Sequence, residues 1–287
     1  MSESPYRLAW RVTEPIHAMV YFVPEAPEAY ERAGLDDANA GYFASRGAVF
    51  GACGPGIVAA TFYNFNPALV ATMLPAVWAK TTPAAMLAAR LEAAGAALTR
   101  GLGAATIAGP EMAEAAALAR TAAEAAAGMP QGRPLFAAHA ELPWPDEPHL
   151  ALFHAQMLLR EFRGDGHVAA LLAAEISGLE AIVLHVASGE IDERFLRGTR
   201  GWSRDAWAAA ADGLRARGLL EGDGLSDAGR QLRAVIEERT DRLAESAYRV
   251  LGETGCLRLA ELTRPMSRTL VKAGFLNPAS LTSRRSV

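Results

Sequence analysis

The sequence predicts a mostly α-helical fold built in two halves, and three observations predict it. Alanine dominates a hydrophobic share of 51%, while β-branched residues are sparse, a composition that favours helix. Capping and stop residues recur at helical intervals along the chain. Prolines at 130, 134, 143, 145 and 148 crowd one stretch near the middle, where no continuous helix is expected.

The 287 residues suffice for one large or two ordinary domains. Charged residues make up 21%, an ordinary globular share that excludes a disordered chain. With 28 basic and 32 acidic residues the formal charge is −4, so the chain as a whole has no electrostatic pull toward nucleic acid or anionic membrane. The N-terminus, MSESPYRLAWRV, lacks the basic-then-apolar layout of a signal peptide, and no apolar run of about 18 residues occurs. Cys53 and Cys256 stand far apart with no CxxC pairing, so neither a disulfide framework nor a thiolate zinc site is expected. The expected compartment is the cytoplasm.

Segment 111–127 (EMAEAAALARTAAEAAA) reads as a helix stopped at Gly128-Met129-Pro130. The proline-rich linker 131–149 then separates an N-terminal half, 1–130, from a C-terminal half, 150–287. A helix is expected from Leu150 to about Arg163, broken at Gly164-Asp165-Gly166. Another follows from about His167 to Ala187, with Ser177-Gly178 as a point of interruption. Ser203 is placed to cap a helix that begins at Arg204 and stops at Gly218. Leu219-Leu220 and Gly222-Asp223-Gly224-Leu225 suit two very short strands around a tight turn. Ser226 or Asp227 then opens a long helix with apolar positions at Leu232, Val235, Ile236 and Leu243. Helix, small hairpin, helix is the back half of a winged helix.

The run LRARGLLEGDGLSDAGRQLRAVIEERTD, residues 214–241, resembles the end of a MarR-type winged-helix domain. In that family L-x-x-x-G-L precedes the wing and L-T-x-x-G-R follows it. Over nearly its full length the chain also resembles a family of actinobacterial proteins described as helix-turn-helix-like. The matching segments are GYFASRG (41–47), TFYNFNP (61–67) and REFRGDGH (160–167). The first resemblance implies a winged-helix fold for the C-terminal half, and the second implies no particular activity.

A fainter pattern suggests a divergent internal duplication. Trp78 and Trp202 share the spacing of Gly54 and Gly178, and each tryptophan precedes a helix with an L-x-x-x-G end, Leu91 to Gly95 and Leu214 to Gly218. The expected fold class is therefore mostly α, with two winged-helix-like units and very short β-hairpin wings. A single chain would then supply a pseudo-twofold internally, as a monomer, or pair as a homodimer.

DNA reading does not fit the expected chemistry. A recognition helix needs polar side chains for base edges and a wing needs basic ones for phosphate. Here the helix continues from Arg204-Asp205-Ala206-Trp207 into four alanines, and the wing is Glu221-Gly222-Asp223-Gly224. Alanine makes none of the bidentate contacts that select bases. The tail, with Arg264, Arg268, Lys272, Arg284 and Arg285, is more basic, which is also typical of a solvated end.

Candidate site residues gather in three motifs. REFRGDGH packs Arg160, Glu161, Arg163, Asp165 and His167 around one expected turn. It suits a clamp in which arginines hold a carboxylate or phosphate while Asp165 orients His167. Asp165 and His167 are equally candidates for an acid–base pair, and the motif also reads as a charged helix end with surface ion pairs. TFYNFNP sets Asn64 and Asn66 among aromatics including Tyr63. It suits either helix capping before Pro67 or orientation of a flat polar ligand. Arg46 lies in a small, apolar helix and needs a partner if buried. Five of the histidines, including His154, fall between 139 and 185 without metal-site spacing, so no metal is expected. His167 and His185 would lie about 27 Å apart on one straight helix and meet only if it bends. No Walker loop, dinucleotide fingerprint or nucleophile elbow identifies a cofactor. The leading expectation is a small-molecule-binding protein with its pocket between the halves. The alternatives are a MarR-like transcriptional regulator and a secondary-metabolism enzyme using Asp165 and His167.

Overall fold

In the computed structural model, residues 3–276 are described; Arg284 and Arg285 of the expected basic tail lie outside the described residues. Ser4 opens α1 (Pro5–Ala18), its hydroxyl accepting the Arg7 amide at 3.2 Å. Four short helices follow: α2 (Glu25–Arg32), α3 (Ala38–Gly47), α4 (Pro55–Phe62) and α5 (Pro67–Met73). Proline begins α4 and α5, where its missing N–H costs nothing. The long helices α6 (Pro83–Ile107) and α7 (Pro110–Ala127) come next. The small α8 (Pro134–Ala140) then leads into α9 (Pro148–Ala173).

After α9 the chain turns by 95° into α10 (Gly178–Ala187). The turn is a Schellman closure, with the Ile176 amide donating to Leu171 O at 3.0 Å and Glu175 in the left-handed region at φ 54°. Then come α11 (Glu193–Arg200), a turn at Gly201, and α12 (Arg204–Ala216) capped by Ser203. Strands β1 (Leu220–Glu221) and β2 (Gly224–Leu225) pair antiparallel, Leu220 with Leu225. The chain continues as α13 (Asp227–Tyr248), capped by Ser226, and α14 (Gly252–Lys272). The fold is mostly α, and α10 to α13 with the hairpin form a winged helix. Among the described residues no single helix is long and apolar enough to cross a membrane.

Three of the sequence expectations are corrected here. The chain does not break at Gly164-Asp165-Gly166: α9 runs through it. A glycine inside a helix costs only about 1 kcal/mol, which packing can offset. Gly166 is small because a Cβ there would lie 3.0 Å from an Arg133 nitrogen and 3.3 Å from Leu243 of α13. Its role is close approach. Likewise the expected second wing is missing, since the described N-terminal half contains no strand. Gly95 does not stop α6, because a Cβ there would meet Leu150 at 3.0 Å; it admits the start of α9. The element order α4–α5–α6 does parallel α10–α11–α12.

Buried side chains form two cores. The larger runs from Ala9 to Phe162 and resumes at Ala247, with α1 packed along α14 and α7 along α9. It crosses the proline-rich stretch, whose Leu135 and Phe136 are among its members. The smaller joins Ala170 and Leu171 of α9 to α10, Leu196, α12, the hairpin and Ile236. Helix α9 therefore belongs to both cores, and the site lies along its middle.

Candidate functional site

Because α9 is continuous, its charged residues fan out over several faces. Glu161, 2% exposed, accepts hydrogen bonds from Arg46 Nη2 at 3.0 Å and Arg160 Nη1 at 3.3 Å. Burial alone would raise its pKa, but these two guanidiniums outweigh that and hold it far below the carboxylate range. Glu161 is thus the shared counter-charge of Arg46 and Arg160. Arg46 also donates to the Tyr42 hydroxyl at 2.8 Å and stacks 4.1 Å over Phe62. Arg160 reaches Glu14 through Nε at 3.1 Å.

Asp165 and His167 do not form a pair, which corrects the acid–base expectation. Two positions apart on a helix, they face different neighbours. Asp165 Oδ2 accepts the Phe136 amide at 2.8 Å and so caps α8 from outside. Burial pushes Asp165 up to about 6 against that hydrogen bond. His167 Nδ1 lies 2.9 Å from Thr240 Oγ1, which itself donates to Ile236 O at 2.8 Å. The hydroxyl proton being used, Nδ1 is the donor and Nε2 keeps the lone pair.

A cavity of about 260 Å³ opens where the winged helix meets the N-terminal helices. Arg46, Tyr63, Asn64, Arg160, Glu161, Asp165 and His167 line it. Three expected residues do not. Arg163 is spent on α13, with Asp241 at 2.6 Å and Glu237 at 3.2 Å, and stacks on Trp10. His154 packs edge-on against Trp144. Asn66 caps α5 and donates to Gly201 O at 2.9 Å. Sequence reasoning missed Tyr42, Arg200 and His185 at this cavity. Arg200 carried only the signal of preceding the Gly201 turn. The 95° bend after α9 brings His185 to His167, and both also line a second cavity of about 300 Å³ beside Arg233 and Glu237.

The rim is cross-stitched. Tyr63 donates its hydroxyl to Ile176 O at 2.6 Å, Trp202 Nε1 donates to Asn64 O at 2.9 Å, and the Asn66 amide donates to Arg200 O at 2.9 Å. Gly178 has no Cβ because one would collide with Tyr63 O. Among the described residues no group of three or more His, Cys, Asp or Glu is arranged to hold a metal ion.

Helix α11, the three-residue turn and α12, followed by a wing, define a helix-turn-helix protein. The sequence model of a helix-turn-helix family matches residues 6–277, and the chain belongs to that family. No curated protein and no solved structure matches it.

The outer face of α12 exposes Arg204, Asp205, Ala208, Ala209, Asp212 and Arg215. Arg215 is bound to Asp212 at 2.7 Å, to Gly222 O at 3.0 Å and to Asp223 at 3.4 Å. The face is charge-balanced, and its best-placed arginine is tied to its own acidic wing.

Proposed function

We propose that this protein binds a small molecule, with its winged helix serving as one wall of the pocket. The observation that carries this reading is the cavity itself: Arg46, Tyr63 and Asn64 come from the N-terminal helices, Arg160 and His167 from α9, and His185 and Arg200 from the winged helix. Together with its neighbour it approaches the size of ordinary ligand sites. Matching helix order in the two halves, each third helix preceded by a tryptophan, supports a divergent duplication beneath this scaffold. Superposition of 55–95 on 178–218 with different helix crossings would remove that part. Native mass spectrometry and thermal-shift screening of the full chain against a metabolite panel test the pocket. Binding that His167→Leu and Asn64→Leu abolish is expected; a panel without binders overturns it.

A second reading, a DNA-binding regulator with a MarR-like wing, is favoured by family membership. Fold alone does not carry it, and the balanced face of α12 weighs against it. Anisotropy with genomic duplexes at about 0.15 M salt decides between them. Sequence-selective affinity tighter than about 0.1 μM, in the range of true regulators, would establish the regulator.

A further inference from the structure

The polar cluster around the cavity is unbalanced in charge. Four guanidiniums, Arg46, Arg90, Arg160 and Arg200, converge there, against the carboxylates of Glu14 and Glu161. Asp165 also lines the cavity but is engaged with the Phe136 amide, and burial pushes its pKa up to about 6. Arg46 is 6% exposed and its Nε has no partner. Arg200 stacks 4.6 Å over Phe65 and donates Nη1 to Thr199, while among the described residues its buried Nε has no partner and no carboxylate pairs with it. Among the described residues Arg90, 2% exposed, meets only the neutral acceptors Tyr21 OH at 2.9 Å and His17 Nε2 at 3.1 Å, with Nε and Nη1 unpartnered. Buried cations left unpaired are costly, and a stacked guanidinium presents its N–H edge as a fork for an oxyanion. The Tyr42 phenol reports the same field: burial raises its pKa, yet Arg46, Arg200 and Arg160 together pull it below the ordinary value.

Resting on the pocket reading above, we infer that the ligand carries two negative charges, as a phosphate monoester or a dicarboxylate, received between Arg46, Arg160 and Arg200. Its organic body then lies against Tyr63, Val168 and Ala181, apolar groups lining the same cavity.

Thermal shift of the full chain tests this with inorganic phosphate, succinate, its neutral diamide succinamide, and chloride at matched ionic strength. Concentrations stay below about 10 mM, where salting effects on burial are small. Phosphate or succinate, whichever matches the head group, should raise the melting temperature by several degrees, with succinamide and chloride inert. Arg200→Met keeps the stack on Phe65 but removes the unpaired charge. It should abolish the shift and leave the ligand-free protein at least as stable as the parent. A purely structural Arg200 predicts the reverse, a lower ligand-free melting temperature with the anion shift retained, and that result overturns the inference. So does an equal response to chloride, or no response to either dianion. Binding of succinamide or another neutral compound without any dianion response would leave the pocket standing and discard the anion alone.

Discussion

At Glu161 a carboxylate with 2% exposure lies between Arg46 and Arg160. Glu161→Gln keeps its shape and removes its charge. Breaking a buried pair from one side leaves uncompensated charge and costs about 3–5 kcal/mol, here from a cluster already rich in cations. Urea denaturation should show that loss, and a change below about 1 kcal/mol, in the range of surface pairs, would mean that the cluster is screened by solvent. Acid should expose a second property. Burial holds His139 and His154 down at about 4, below the unfolded value of about 6.5. Such a histidine takes its proton on unfolding, so its stability is complete above about 6.5 and is lost as pH falls toward about 4. Asp165, raised by burial to about 6, has the opposite sign: its contribution is present below about 4 and lost as pH rises through about 6. With the two histidines outweighing the one aspartate, urea midpoints should fall from pH 7 to pH 5. Asp165→Asn, which still accepts the Phe136 amide, should make that fall steeper.

Among the elements, Gly178 at the start of α10 carries the clearest expectation. Gly178→Ala drives a methyl into Tyr63 O, and overpacking of this kind typically costs about 1–3 kcal/mol. Hydrogen exchange should rise across α10 to α12 while α1, α7 and α14 stay protected; uniform change over both cores would contradict the two-core description. The same elements show what the sequence made legible. Ser203 and Ser226 announced α12 and α13, and Gly222-Asp223-Gly224 announced the hairpin, because caps and turns are local chemistry. Gly166 and Gly95 misled because a glycine that stops a helix and one that admits a neighbour look alike in one dimension. Only the positions of Leu243 and Leu150 distinguish them. For the site, the motifs gathered most of the cavity wall, since α9 and the 61–67 segment each bring several of its residues. Arg163 and Asn66 share those motifs but belong to helix faces and caps, and Arg200 belongs to no motif at all.

At the scale of the whole molecule, α9 links two cores of unequal size. Arg163, held by Asp241 and Glu237, fixes its middle to α13, so the floor of the cavity is anchored by ion pairs. The opposite wall is joined more lightly, by Tyr63 to Ile176, Trp202 to Asn64, and Asn66 to the backbone of residues 200 and 201. That contrast bears on the rate of exchange with solution as well as on affinity. A guest enclosed by such a seam leaves only as fast as the seam parts, and its residence time becomes a property of Asn66, a residue outside the cavity. Asn66→Ala should therefore accelerate dissociation several-fold in stopped-flow or surface-capture measurements, with association accelerated in proportion and the equilibrium constant little changed. A loss of affinity without faster association would instead make Asn66 a support for the bound form alone.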